Sequence, residues 1–78
     1  MPRGLYNWTF KDVTNYLKAK GFILGHIKGS HYFYEGIIDG IQRQVCVPCH
    51  ASIIISPDTI QGIIKQSGIP KKNWINKK

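Results

Sequence analysis

The dipeptide Asp39-Gly40, between the apolar runs HYFYEGII and IQRQVCV, constrains the fold of this chain more than any other feature. A two-residue turn of type I′ needs positive φ at both central positions, and Asp-Gly accepts that conformation at low cost. The sequence therefore predicts an antiparallel hairpin, and the length of the turn fixes its register.

This register gathers several polar residues at the open end of the hairpin. Counting outward from the turn sets His31 opposite Pro48. His50 lies two residues further, which is about 7 Å at the rise of a strand. Lys28 precedes His31 by three residues, across a short turn. We therefore expect Lys28, His31 and His50 to lie near one another.

The same register divides the hairpin into two faces. Alternation places one set of side chains under the predicted helices: Tyr32, Tyr34, Val45 and Val47. It leaves the other set on an open face: His31, Phe33, Glu35, Gln44 and Cys46. A bulge or a slip by one residue would exchange the two faces.

Helix signals flank the hairpin. The stretch WTFKDVTNYLKAKG predicts a first helix, since Thr9 and Asp12 form a capping-box pattern. The run FILGHIK predicts a first strand before the hairpin. The stretch SPDTIQGIIKQSGIP predicts a second helix, capped by Ser56 and ended by Gly68 and then Pro70.

The predicted fold class is α+β, in the order α-β-β-β-α. Two helices covering one face of a three-stranded antiparallel sheet is a sound two-layer arrangement for one small domain. We expect the 78 residues to form a single domain, with a core at about residues 8–70 and a basic tail at 71–78.

The composition of the chain limits the kinds of partner that it can bind. Eleven Lys and Arg against four Asp and Glu give a net charge of +7, which favours an anionic partner such as nucleic acid, an acidic protein or a membrane surface. Four of these cations lie in the tail: Lys71, Lys72, Lys77 and Lys78. We find no secretory signal and no apolar run of about 20 residues that could span a bilayer. We therefore expect a soluble, cytoplasmic protein that does not act at a membrane.

The segment CVPCH, Cys46 to His50, admits two cofactor interpretations. It matches the pattern of covalent haem attachment, which the lack of an export signal disfavours. It also supplies three zinc ligands, with His31 or His26 as a fourth, although a single C-x-x-C lacks the second half of a zinc motif. The alternative, an ordinary strand end, is favoured, and we expect no metal and no cofactor.

His31, Lys28 and the Gly29-Ser30 turn fit the cleavage of an RNA phosphodiester. Imidazole can take a proton from the 2′-hydroxyl or give one to the leaving 5′-oxygen. A lysine can stabilise the phosphate charge, and turn amides can bind phosphate oxygens. From the residues alone, an ordinary surface histidine remains an alternative.

Aromatic residues beside basic ones suggest a further role. Tyr32, Phe33 and Tyr34 could stack on unpaired bases. Alternating strand positions more often hold core aromatics, which we favour for the two tyrosines. Trp74 either anchors the tail to the domain or contacts a partner.

The segments LKAKGF, KGSHYFYEG, VCVPCH and TIQGIIKQSGI together resemble the HicA family of bacterial toxins. The resemblance runs from the first helix to Pro70. It implies a fold similar to double-stranded-RNA-binding domains (dsRBD-like) and an mRNA interferase that arrests growth. It also implies that His31 is catalytic and that a HicB-type antitoxin covers the site. The V-P-x-H histidine of the family falls on His50.

The resulting hypothesis is a metal-independent endoribonuclease that cleaves mRNA as a monomer, with His31 as general acid/base. Lys28, Gly29 and Ser30 would hold the phosphate, and His50 is a second proton-transfer candidate. Arg43 and the tail lysines would hold the RNA backbone through salt-sensitive contacts. The rivals are a non-catalytic RNA-binding module of the same fold and a zinc-dependent module.

Overall fold

Three antiparallel strands and three helices make up the part of the chain that the computed structural model describes, residues 8–49 and 54–75. The elements are α1 (Phe10–Ala19), β1 (Ile23–Lys28), β2 (His31–Ile38), β3 (Ile41–Pro48), α2 (Pro57–Ser67) and α3 (Lys71–Ile75). The sheet has the strand order β1-β2-β3. The predicted α+β class and the order α-β-β-β-α are confirmed, and a third helix follows. None of the helices in the described ranges is long and apolar enough to cross a membrane.

Helix α1 begins with the predicted capping box. The backbone N–H of Asp12 donates to Oγ1 of Thr9 at 3.2 Å, and the Asp12 carboxylate accepts from the N–H of Thr9 at 3.1 Å. Both bonds satisfy amides that the first turn of a helix leaves without a partner. The helix ends at Lys20, and Gly21 then takes a φ of 94°.

Helix α2 also begins and ends as predicted. Oγ of Ser56 accepts from the N–H of Thr59 at 3.3 Å, and Pro57 occupies the first helical turn. Gly68 ends the helix in the left-handed conformation, with φ 74°. The buried hydroxyl of Ser67 donates to the carbonyl of Ile64 at 2.8 Å and so has a partner inside the protein.

The hairpin has the register set by its turn. Asp39 and Gly40 have φ of 55° and 77°, as a type I′ turn requires. Ile38 pairs with Ile41 at the turn, and His31 pairs with Pro48 at the other end. The predicted register is confirmed.

The hydrophobic core lies between the sheet and the helices. Helices α1 and α2 contact β3, and the ring of Phe10 packs edge-on against Tyr32 of β2, with centroids 4.9 Å apart. Tyr34, Val45 and Val47 are buried on this side, and Tyr32 is half-buried against the core. The predicted division of the hairpin into a helix face and an open face is therefore confirmed.

The core extends past Pro70, where the sequence placed the beginning of a tail. Residues 71–75 form α3, and Trp74 is fully buried. Its ring lies 5.4 Å from that of Trp8 and 4.4 Å from that of Tyr16, measured between centroids. Of the two roles considered for Trp74, the structure shows the anchoring one.

Strand β1 begins one residue later than predicted. Phe22, assigned to the strand from its apolar character, precedes it and is buried. A Cβ on Gly36 would come within 2.8 Å of the Phe22 ring, so the ring lies directly on the backbone of β2. All six residues of β1 are exposed, as expected of an edge strand that the helices do not cover.

Candidate functional site

Lys28 and His31 form the last cross-strand pair of β1 and β2. Directly opposed residues hold their Cβ atoms about 4.5–5.5 Å apart on one face of a sheet. Both side chains are exposed, and His31 shares the open face with Phe33 and Glu35 by strand alternation. The structure thus places an accessible imidazole beside an accessible ammonium group.

The turn that joins this pair is Gly29-Ser30. Gly29 has a φ of 60°, whereas Ser30 is not among the described residues with positive φ, which is the pattern of a type II′ turn. The hydrogen bond of a β-turn joins its first carbonyl to its fourth amide, so it uses neither central N–H. The amides of Gly29 and Ser30, between Lys28 and His31 in the chain, are therefore not used by the turn's own hydrogen bond.

A hydrogen bond fixes this turn to the end of β3. The N–H of Cys49 donates to the carbonyl oxygen of Ser30 at 2.7 Å. The bond continues the β2–β3 ladder past the His31–Pro48 pair, because Ser30 precedes β2 and Cys49 follows β3. It limits how far the turn can move relative to the hairpin.

The row of side chains next to this pair is aromatic. His26 pairs with Phe33, and their rings are stacked with centroids 4.4 Å apart and an interplanar angle of 7°. His26 is exposed and Phe33 is half-buried. The sequence predicted Phe33 on the open face, where it indeed lies, but it did not predict its stacking partner.

Arg43 does not join the other predicted site residues. It pairs with Gly36 and shares the helix face with Val45 and Val47. A Cβ added to Gly68 would come within 2.6 Å of the Arg43 Nε. That Nε is buried and has no hydrogen-bond partner in the described structure. Arg43 is five residues along β3 from Pro48, the partner of His31, or about 17 Å. Arg43 is thus not brought beside His31, and its predicted contact with the RNA backbone stays a prediction.

His50 lies outside the described residues, so its place relative to His31 stays a prediction. The same holds for Lys77 and Lys78 of the tail. Lys71 and Lys72 are described, and both are exposed on α3.

The two cysteines are free thiols with different surroundings. Cys46 pairs with Phe33 on the open face. Burial raises the pKa of Tyr34 on the helix face, and Cys49 contributes to that rise through its charge. Across residues 8–49 and 54–75, no three His, Cys, Asp or Glu side chains come together as a metal site. His50, one of the predicted zinc ligands, lies outside these ranges, so a zinc site that includes it stays a hypothesis.

The far end of the open face carries a feature that the sequence analysis missed. Ile23 and Ile37 are 70% and 69% exposed, unusually high for large aliphatic side chains. They line a shallow groove of about 470 Å³, together with Gly21, Glu35, Gly36 and Gln42. Strand alternation from Phe33 and Glu35 to Ile37 could have revealed its position on this face.

Comparison with known proteins gives one match. A family model described as "HicA toxin of bacterial toxin-antitoxin" matches residues 10–69, from the first residue of α1 to the residue after the Gly68 cap of α2. The matched range includes Lys28, His31 and the whole sheet. No curated protein and no solved structure matches the chain.

The match covers well over half of the 78 residues. Members of this family act in systems that pair a toxin with an antitoxin. The predicted resemblance to the HicA family is confirmed. The chain therefore belongs to the HicA toxin family of bacterial toxin–antitoxin systems.

Proposed function

We propose that this toxin is an endoribonuclease that cleaves mRNA in the cytoplasm, with His31 as its general acid/base. The observation that carries the proposal is the exposed His31 paired directly with Lys28 at the open end of the sheet. Membership of a toxin family supports it, since cleavage of messages would arrest growth.

The reaction is a transfer within one strand of RNA. The 2′-oxygen attacks the neighbouring phosphorus and loses its proton, the bond from phosphorus to the 5′-oxygen breaks, and that oxygen takes up a proton. Neutral imidazole can accept the first proton and imidazolium can supply the second. One imidazole cannot do both at the same instant. We therefore assign one transfer to His31 and the other to His50, Lys28 or a water molecule.

The remaining groups act on the phosphate. The Lys28 ammonium group, paired with His31, is placed to offset the negative charge that grows on the phosphate oxygens. The amides of Gly29 and Ser30, which the turn's own hydrogen bond does not use, can donate to the same oxygens. Since these groups supply both proton transfer and charge stabilisation, we propose that cleavage needs no metal ion. Full activity in the presence of EDTA would agree with this.

Salt-sensitive contacts to the RNA backbone come from exposed lysines. Lys71 and Lys72 on α3 are exposed, and the net charge of the chain is +7. Each lysine that neutralises a phosphate releases a counterion, so affinity should fall as salt concentration rises. Arg43, which packs beside Gly68 on the helix face, stays a proposed contact to the RNA backbone away from His31.

We propose that the antitoxin is of the HicB type and covers the open face. This face carries His31 at one end and exposed Ile23 and Ile37 at the other. Exposed aliphatic side chains rimmed by polar groups favour a protein partner. A partner seated on the groove between Ile23 and Ile37 would need to extend along β2 to shield His31.

The experiment that tests the proposal is His31→Ala, assayed for RNA cleavage, RNA affinity and growth arrest. We expect cleavage to fall at least about 100-fold, because a general acid/base contributes about 10²–10⁴ in rate. RNA affinity should stay within about twofold, and growth arrest should be lost. Gln44→Ala, an exposed change on the same face, is the matched control.

Two results would contradict the proposal. Undiminished cleavage by His31→Ala would remove His31 from the chemistry. A wild-type protein that binds RNA without cutting it would instead favour the non-catalytic RNA-binding module.

A further inference from the structure

His26 and Phe33 form an aromatic surface that the cleavage chemistry leaves unused. Their rings are nearly parallel, 7° apart, at a centroid distance of 4.4 Å. His26 is exposed on edge strand β1, and in the described part of the chain Phe33 is the one ring stacked on it. The outer face of the imidazole is therefore open to a further flat group.

The Gly29-Ser30 turn sets this arrangement, because counting back from the Lys28–His31 pair brings His26 opposite Phe33, and a β-bulge follows directly. Leu24 pairs with Tyr34 and His26 pairs with Phe33, so Gly25 is the extra residue. Counted from the turn, the bulge lies beyond His26, and it shifts Leu24 and Ile23 by one residue so that Ile23 lies opposite Glu35 on the open face. A Cβ on Gly25 would come within 2.8 Å of the Glu35 carboxylate, so glycine suits the close approach of the strands there. Bulges commonly redirect a side chain beside a functional site.

The aromatic pair adjoins the cationic pair on the same face. His26 is two residues from Lys28 along β1, and Phe33 is two residues from His31 along β2. The two pairs thus lie about 7 Å apart at the rise of a strand. A ribose can bridge a separation of that size between its phosphate and its base.

We propose that the stacked His26–Phe33 pair is a binding platform for an unpaired RNA base next to the cleaved phosphodiester. The inference rests on the proposed ribonuclease function and adds a base-binding subsite to it. Every nucleobase offers a flat π face, so stacking on an aromatic ring binds bases with little regard to sequence. The cationic pair holds the backbone and the aromatic pair holds the base, so the subsite selects single-stranded substrate.

The test measures the affinity of the full chain carrying His31→Ala for a short oligouridine RNA. A matched series replaces one base at a time by an abasic ribose. We expect one abasic position to lower affinity about tenfold, the size of one base–aromatic stack. Adding His26→Ala should lower affinity for the intact RNA by a similar factor and abolish the penalty at that position. His26→Tyr keeps a flat ring and should restore both the affinity for the intact RNA and the abasic penalty. Gln44→Ala should change neither of these two quantities.

Several results would overturn the platform. One is an abasic penalty that persists in His26→Ala, and another is an intact-RNA affinity unchanged by His26→Ala. A third is an effect of His26→Ala on antitoxin affinity alone. Because the RNA-binding readout uses an inactive variant, it does not depend on cleavage. Failure of the ribonuclease proposal would appear separately, as a wild-type chain that does not cut RNA.

Discussion

The side chains of Lys28 and His31 project from directly opposed positions of β1 and β2, joined by the two-residue turn Gly29-Ser30. The Ser30 carbonyl is further tied to the N–H of Cys49 at 2.7 Å. A short turn and a cross-strand bond hold the two functional groups in one geometry. The conformation of the turn should therefore set the separation of the two groups.

Lys28→Ala is expected to lower kcat/KM for RNA cleavage by about 10- to 100-fold. Removal of one preorganised donor from an enclosed site costs about 10²–10³, and the exposure of Lys28 reduces that effect. The slope of log affinity against log salt should become shallower by about one unit, as for one lost phosphate contact. Steady-state cleavage and a salt series of binding measurements check both values.

Lys18→Ala supplies the matched control for Lys28→Ala, since Lys18 is an exposed lysine on α1. Both substitutions remove one positive charge from the chain. Equal losses of cleavage in the two variants would show that only net charge matters, and would contradict a specific role for Lys28.

Gly29→Ala is expected to destabilise the fold by about 1–2 kcal/mol, the cost of a left-handed conformation for a residue with a Cβ. Gly29 has a φ of 60°, and a Cβ there would meet no atom within 4 Å. The loss would thus come from backbone strain alone. Cleavage should fall as well, because a relaxed turn separates Lys28 from His31. Urea unfolding and a cleavage assay measure the two effects.

Gly62→Ala is the counterpart of Gly29→Ala. A Cβ on Gly62 also meets no atom within 4 Å, but this residue lies inside α2 without positive φ. Alanine should stabilise the helix by roughly 0.5–1 kcal/mol. If Gly29→Ala and Gly62→Ala changed the unfolding free energy in the same direction, the argument from the φ of the two glycines would be contradicted.

The sequence predicted the hairpin well because one turn determined it. Asp39-Gly40 fixed the register, and alternation then assigned each strand residue to a face. The same alternation places Arg43 with Val45 and Val47 under the helices, so its face of the sheet was predictable. The register also made its distance from His31 along the hairpin predictable. The capping residues Thr9 and Ser56 were also predictable, because their hydrogen bonds are local in sequence.

Features that depend on long-range packing were not predictable in this way. Gly68 ends α2 and Pro70 follows, yet α3 begins directly after Pro70, because burial of Trp74 against Trp8 stabilises the segment. These residues lie at opposite ends of the chain, and a lysine-rich segment resembles a tail. The bulge at Gly25 left only a glycine as its signal, and a glycine inside a strand can equally mark a tight bend or a close backbone approach.

Trp74→Ala is expected to cost about 3–5 kcal/mol of unfolding free energy, as for other fully buried tryptophans. A small domain has about 5–15 kcal/mol in total, so this loss is a large fraction of its stability and should lower Tm markedly. Trp74→Phe keeps an aromatic ring and should lose less. Thermal unfolding followed by circular dichroism measures each variant. Asn73→Ala, at an exposed position of α3, should leave Tm nearly unchanged. A Tm for Trp74→Ala equal to that of Asn73→Ala would refute the anchoring role.

Buried tyrosines are expected to make the fold sensitive to alkali. Burial raises the pKa of Tyr16, and burial also raises that of Tyr34, against a smaller opposing hydrogen bond from Thr14. Unfolded tyrosines lose their phenolic proton near their ordinary pKa of 10.0. Above that pH the unfolded chain binds fewer protons than the folded one, so unfolding free energy falls as pH rises. The stabilisation from these groups is complete below about pH 9 and is lost as pH passes through the raised folded values.

Tyr34→Phe isolates one tyrosine from this effect. The variant removes the phenolic hydroxyl and keeps the ring that packs in the core. Above about pH 10 its unfolding free energy should fall less steeply than that of the wild type, by up to about 1.4 kcal/mol per pH unit for one proton. Urea unfolding between neutral pH and pH 11 gives both slopes. Parallel curves over the whole range would show that Tyr34 holds its proton no more tightly in the folded protein, because a residue with equal pKa in both states contributes no slope.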